Sequence, residues 1–256
     1  MPYTAATAAP AINFQPAASS ASRLFHQPPF ASSYDISPDG NYIAYVKAAE
    51  NRSDVFVQRI GGGNPLNLTG ASGVKNIQPV YSPKGDLIAF RSERDGGGIF
   101  LMGSTGESIR RLTDFGYNPA WSPDGKAIVV ATESIEQPYS RSTESKLWTV
   151  DISSGKTATI YSGDAVQPQW SPDGAWIVFW GLPRGTGKRE LWTIRSTGGD
   201  PNRLTEDDAI DWDPQWSPDG RVIYFLSDRG GTMNAWRMEI DPGSGKAAGD
   251  PLPVIL

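Results

Sequence analysis

The chain has 256 residues, a net charge of −5, one histidine and no cysteine. The acidic balance excludes the basic surface that nucleic-acid binding needs, and the absent thiols exclude disulfides, thiolate catalysis and cysteine metal ligands. A single histidine argues against multi-histidine metal centres, and with no Gly-x-Ser-x-Gly elbow it argues against a hydrolase triad.

Residues 1–21, rich in Ala, Ser and Pro, read as a flexible arm without the basic start and apolar centre of a signal peptide. Ser22-Arg-Leu-Phe25 follows and matches later segments of the chain. It reads either as a loop sharing three letters with them or as a strand capping an open sheet edge. His26, in a Pro-rich entry segment, reads as a surface or turn histidine. No apolar run is long enough to span a membrane as a helix.

From here one word recurs. Ser37-Pro-Asp-Gly40, Ser82-Pro-Lys-Gly85, Ser122-Pro-Asp-Gly125, Ser171-Pro-Asp-Gly174 and Ser217-Pro-Asp-Gly220 are separated by 45, 40, 49 and 46 residues. Pro presets the first central position of a type I turn, Asp suits the next, and Gly accepts the left-handed conformation that leads into a strand. Ile36, Tyr81, Trp121, Trp170 or Trp216 precedes each word, and a β-branched or aromatic run follows, such as Tyr42-Ile-Ala-Tyr45 and Trp176-Ile-Val-Phe179. Each word is therefore the turn of a β-hairpin.

A third strand follows in every unit, for example Leu147-Trp-Thr-Val150, then a Gly-containing turn, then a fourth strand such as Arg110-Arg-Leu-Thr113 or Asn202-Arg-Leu-Thr205. Four antiparallel strands repeated at this period predict an all-β fold, a β-propeller of four-stranded blades. The expected domain spans 22–256, with blades at about 26–69, 70–113, 114–160, 161–205 and 206–256. Five blades are visible. The last unit stops where another interblade connection would begin, so the expectation is part of a ring of six to eight blades, with a five-bladed ring as the alternative.

Turns at one end of each blade carry the repeated word, and the loops at the other end vary. The longest inserts are 133–146 and 181–189. Variable loops on a regular scaffold are where function concentrates. The loops 91–98, 133–146, 181–189, 206–213 and 227–234 are therefore the candidate partner surface. Arg94, Arg184, Arg189, Asp211 and Asp228 are its charged tips, and Tyr139 and Trp212 its aromatic anchors.

Several motifs read as structure instead. Gly181 to Lys188 fails the spacing of a phosphate loop, and Arg189 stands where Ser or Thr is required. Glu206, Asp207, Asp208, Asp211 and Asp213 crowd eight residues but lack the register of an EF-hand. They read first as a solvated interblade loop, with an acidic recognition surface and a cation site as alternatives. The Ser and Asp of the repeated word serve the turn backbone. No catalytic residue, metal or cofactor is expected.

The aromatic-Ser-Pro-Asp-Gly word, the Ile-Ala-Phe-like strand, the Leu-Trp strand and Arg-Leu-Thr together resemble the TolB-type propellers of bacteria. Lys84 and Thr157-Ala-Thr-Ile160 are departures from that pattern. The resemblance covers about 26–256. It implies a propeller that is free-standing in the periplasm, a substrate gate of a prolyl oligopeptidase-like peptidase, or an extension of a bacterial serine/threonine kinase. Asp95-Gly-Gly-Gly-Ile-Phe-Leu-Met-Gly103, Ala209-Ile-Asp-Trp212 and Ser227-Asp-Arg-Gly-Gly231 look most like the kinase-linked group. The expected function is non-enzymatic binding of a protein or peptide through one loop face; the alternatives are a sensory or docking domain of a membrane kinase, and a peptidase gate or a propeller enzyme with its site in the central funnel. The expected location is extracytoplasmic, with no nucleic-acid partner and no membrane insertion of its own. A tether through a further N-terminal region is compatible with it.

Overall fold

The computed structural model describes residues 33–135, 139, 141, 144–183 and 186–254. The arm, the Ser22-Arg-Leu-Phe25 segment, His26 and Arg184 lie outside the described residues. Blade one comprises β1 (Tyr34–Ile36), β2 (Tyr42–Ala49), β3 (Arg52–Arg59) and β4 (Leu66–Asn67). Blade two comprises β5 (Asn76–Tyr81), β6 (Leu87–Ser92), β7 (Gly98–Gly103) and β8 (Arg110–Arg111), with a 3-10 turn at Arg94–Gly96. Blade three follows as β9 (Tyr117–Trp121), β10 (Ala127–Ala131), β11 (Leu147–Asp151) and β12 (Thr157–Tyr161). Blade four is β13 (Val166–Trp170), β14 (Trp176–Gly181), β15 (Glu190–Arg195) and β16 (Asn202–Arg203). Blade five is β17 (Asp211–Trp216), β18 (Val222–Ser227), β19 (Asn234–Glu239) and β20 (Leu252–Pro253).

Within every sheet the strands pair in chain order and antiparallel. The first strands of successive blades also touch: β1 on β5, β5 on β9, β9 on β13, and β13 on β17. No comparable contact joins β17 to β1 among the described residues. The fold is the expected propeller, with five blades of four strands among the described residues.

The repeated word works as its residues dictate. In blade three Ser122 Oγ donates to Asp124 at 2.7 Å and accepts the Ala127 amide at 2.9 Å, while the Gly125 amide closes the turn on the Ser122 carbonyl at 2.9 Å. Blade two has Lys84 in place of Asp, and Asp86 takes over, accepting from Ser82 Oγ at 2.7 Å. Gly125 has φ +71°, and a Cβ there would sit 3.8 Å from Pro83 of the preceding blade; Gly85, Gly174 and Gly220 repeat this contact with Pro38, Pro123 and Pro172. The turns therefore stack blade on blade over one face.

The Leu-Thr pairs that follow the fourth strands of blades one, two and four clamp their outer edges. Thr69, Thr113 and Thr205 accept the amides of Val55, Ile99 and Leu191 through their hydroxyls at 2.9, 3.2 and 3.0 Å. Side chains alternate across each strand, so both faces of a blade are apolar and the core lies between blades. Ala44 and Val55 of blade one meet Ile88, Phe90, Phe100 and Met102 of blade two. A larger cluster around Phe179, Trp180 and Phe225 runs through blades three to five.

The innermost strands carry a second repeat that sequence reading missed. Gln78, Asn118, Gln167 and Asp213, each directly before a proline, have φ of 56°, 50°, 48° and 52°. The ladders are irregular at these points. Such a conformation costs a non-glycine residue about 1 kcal/mol or more. Interblade bonding offsets that cost in part: the Gln78 amide donates to Ser33 Oγ at 2.9 Å, and Gln78 Oε1 accepts the Asn118 amide at 2.7 Å. Asn118 is one methylene shorter, and its Oδ1 is buried without a partner. Asn118→Gln is expected to carry the bonding on to blade four and to stabilise by about 0.5–1.5 kcal/mol. A urea midpoint raised at unchanged slope would bear this out, and a lowered midpoint would refute it.

Candidate functional site

In a four-stranded antiparallel blade the loop between the second and third strands lies at the end opposite the Ser-Pro-Asp-Gly turn. It shares that end with the connections between blades. The inserts of blades three and four and the 204–211 connection therefore meet on one face, and side chains tie them together. The ring of Tyr139, 63% exposed, lies 5.4 Å from the Arg189 guanidinium. Lys188 pairs with Asp208 at 2.8 Å, and Arg229 with Asp207 at 3.2 Å.

The blade-three insert is anchored from below. Arg141 Nε donates to Glu133 at 2.6 Å, its Nη2 pairs with Asp164, and its guanidinium lies 5.2 Å from the Trp180 ring. All three charged side chains are less than a tenth exposed. Asp164 also accepts the amides of Ser145 at 2.9 Å and Leu182 at 2.6 Å. One carboxylate thus holds the inserts of blades three and four together, because each of its acceptor positions meets a donor from a different loop.

The expected surface residues divide into two groups. Tyr139 and Arg189 are brought together at the face. Arg94 instead turns inward from the 3-10 turn. Its Nε donates to Ser92 Oγ at 3.0 Å and its Nη2 to Asn76 Oδ1 at 3.2 Å, and it lies over Phe90 and Phe100 at 5.6 and 5.4 Å. Burial lowers its pKa. Asp211, read from sequence as a charged tip, is fully buried and accepts from Arg229 Nη2 at 2.9 and 2.8 Å through its two oxygens. Burial raises its pKa, with bonds from Ser227 and Arg229 working against the rise. Trp212, read as a loop residue, belongs to strand β17; it is half-buried, with its indole nitrogen enclosed. Asp228 accepts the Ile210 amide at 2.8 Å and fixes the entry to β17. Arg229, which sequence reading passed over, is the residue these acids organise.

The acidic stretch is dispersed. Glu206 pairs with Arg203 at 2.7 Å, Asp207 and Asp211 with Arg229, and Asp208 with Lys188. Among the described residues no group of three or more His, Asp or Glu is placed to hold a metal. Asp213 stands apart, in the innermost strand, where burial pushes its pKa up to about 6 against a bond with Gln215. Its folded pKa lies above the unfolded value of 3.8. The carboxyl therefore costs nothing below about pH 4, and the cost grows as pH rises toward 6. Asp213→Asn, which keeps a residue tolerant of the left-handed conformation, is expected to stabilise at pH 7.5 by up to about 3 kcal/mol. At pH 3.5 it should have no effect. Equal effects in urea melts at the two pH values would contradict this.

Between blades three and four the same face opens into a cleft of about 280 Å³, lined by Tyr161, Leu182, Pro183 and Trp192 and by the polar connection Ser162-Gly-Asp164. Glu144 stands exposed at its edge. Nothing in the sequence announced it, because its walls come from three separated segments.

Five four-stranded sheets with stacked turns on one face and tied loops on the other define a β-propeller with a single elaborated face. The chain belongs to the TolB beta propeller domain family, whose pattern matches residues 24–180 and 139–249. The uncharacterised peptidase YuxL of Bacillus subtilis is 29% identical over 184 residues, which are 56% of this chain and 28% of that protein. The uncharacterised protein Atu1656 of Agrobacterium fabrum is 30% identical over 186 residues, 69% of this chain and 58% of that protein. The chain thus spans between about a quarter and three fifths of the length of these curated relatives. A solved TolB-type structure from Agrobacterium tumefaciens superposes with a TM-score of 0.71 at 26% identity, covering 87% of this chain and 79% of that one. No described helix is long and apolar enough to cross a membrane.

Proposed function

We propose that this chain is a non-catalytic TolB-like propeller that binds a protein or peptide partner through the loop face of blades three to five, outside the cytoplasm. The observation that carries the reading is the buried Arg141–Glu133–Asp164 cluster. It holds two inserts in one arrangement beside Tyr139 and Arg189. Ordering loops before binding removes an entropic cost that a partner would otherwise meet. Arg189 and Tyr139 are residue types that dominate binding energy when a partner covers them. Partner capture from host extract is the test. The double variant Tyr139→Ala/Arg189→Glu should lose the partner, and Lys126→Glu on the opposite face should keep it. Capture unaffected by the double variant would sink the reading.

A second reading, the gate domain of a peptidase, is favoured by one observation: a relative named as a peptidase matches this chain over only 28% of its own length. In that reading the propeller screens substrates for a hydrolase domain elsewhere. Hydrolysis of fluorogenic dipeptides by the natural full-length protein, and none by the propeller alone, is its expected signature.

A further inference from the structure

We propose that the outer strand of blade three, β12, pairs edge to edge with β12 of a second copy of this chain and closes a symmetric dimer. The fourth strand of every blade ends its sheet, so among the described residues no strand pairs with its far side. Four of these edges are blunted. Strands β4, β8, β16 and β20 are two residues long. Pro65 precedes β4, β8 is Arg110-Arg111, β16 holds Arg203, and Pro253 lies in β20. Short length, charge and proline are the devices that keep sheet edges from joining. Strand β12, Thr157-Ala-Thr-Ile-Tyr161, has none of them: it runs five residues without charge or proline, and its first three are exposed. It stands where blades one, two and four carry a two-residue strand and a Leu-Thr pair.

The backbone sets the register. The Lys156 carbonyl accepts the Asp151 amide at 2.9 Å, and the Ala158 carbonyl accepts the Thr149 hydroxyl at 3.4 Å, so residues 156 and 158 turn toward β11. Successive residues of a strand alternate, and the amides and carbonyls of Thr157 and Thr159 therefore point outward. A two-fold axis through Ala158 sets Thr157 of each copy opposite Thr159 of the other, in pairs that exchange both N–H···O bonds. Thr–Thr is a favoured cross-strand combination. Alanine on the axis suits the close approach of a pair that exchanges no backbone bonds. Lys156 falls opposite Ile160, so no like charges meet. The same symmetry applied to β8 would set arginine against arginine. The edge of β12 is thus complementary to itself, and a second copy is the occupant it fits. An isologous contact uses this edge once, so assembly stops at two. One strand pair covers far less than the ~800 Å² per partner of a standard interface, so the dimer is weak and depends on concentration.

Sedimentation velocity of the whole chain, from micromolar to millimolar concentration, is the test. A boundary that moves from monomer to dimer and no further is expected. Ala158→Lys and Ala158→Glu each set like charges on the axis and should raise the concentration of half-association by about tenfold or more. Their melting should match the wild type, because Ala158 is exposed. An equimolar mixture of the two variants should associate again, since opposite charges then meet on the axis. That recovery separates a lost contact from a lost fold. A wild type that stays monomeric at millimolar concentration, association unchanged in either variant, growth beyond the dimer, or a mixture that remains monomeric would overturn the inference.

Discussion

Asp211→Ala is expected to lower the unfolding free energy by about 3–5 kcal/mol, the cost of leaving a buried cation without its partner. The Arg229 side chain is only 12% exposed, lies over Phe225 and Trp236 at 5.3 and 5.4 Å, and receives both oxygens of Asp211. Its second acid, Asp207, is half-exposed at 3.2 Å and compensates little. Asp211→Asn should cost less, about 1–2 kcal/mol, because a carboxamide oxygen still accepts. Blade two shows that this works, since there Asn76 Oδ1 takes Arg94 Nη2 at 3.2 Å. Urea unfolding separates the two variants. Equal midpoints for Asp211→Ala and wild type would mean that the acid is a surface group after all.

Arg141→Ala is the second large effect. It removes the cation that lies between Glu133 and Asp164, both less than a tenth exposed, and loosens the blade-three insert from the connection to blade four. A loss of about 3–5 kcal/mol is expected. Arg141→Lys should recover little, because an ammonium cannot bridge two carboxylates with the fixed fork of a guanidinium. The distinguishing readout is amide exchange: protection at Ser145 and Leu182, whose amides bond Asp164, should fall by more than protection in β14 and β15. Uniform loss of protection across blade four would mean that the cluster stabilises the sheet and not the loops.

How far the residues announced this molecule depends on whether their partners are local. The Ser-Pro-Asp-Gly turn is closed by atoms within five residues, so its chemistry was readable, and so was the propeller it punctuates. Even Lys84 proved harmless for a local reason, with Asp86 two positions on supplying the carboxylate. Charges in loops were another matter. Arg94 and Asp211 read as tips because a sequence does not say which way a side chain turns. A signal was nevertheless present: Asn76 and Arg94, like Asp211 and Arg229, are 18 apart, each pair with a serine two before the arginine. That spacing is cross-strand geometry. The Arg141 cluster left no such trace, because Glu133, Arg141 and Asp164 meet only when two blades pack. Tyr139 and Arg189 were both named from loop length, but their contact is a product of that packing.

The claim that the loop face of blades three to five is where a partner binds is tested most directly by photocrosslinking. A benzophenone amino acid would be placed at position 139, or at 126 on the face of stacked turns, and irradiated in the living host. The account predicts one discrete adduct from position 139, absent from position 126 and lost when Arg189→Glu is added. The same adduct from both positions, or an adduct from position 126 alone, would contradict it.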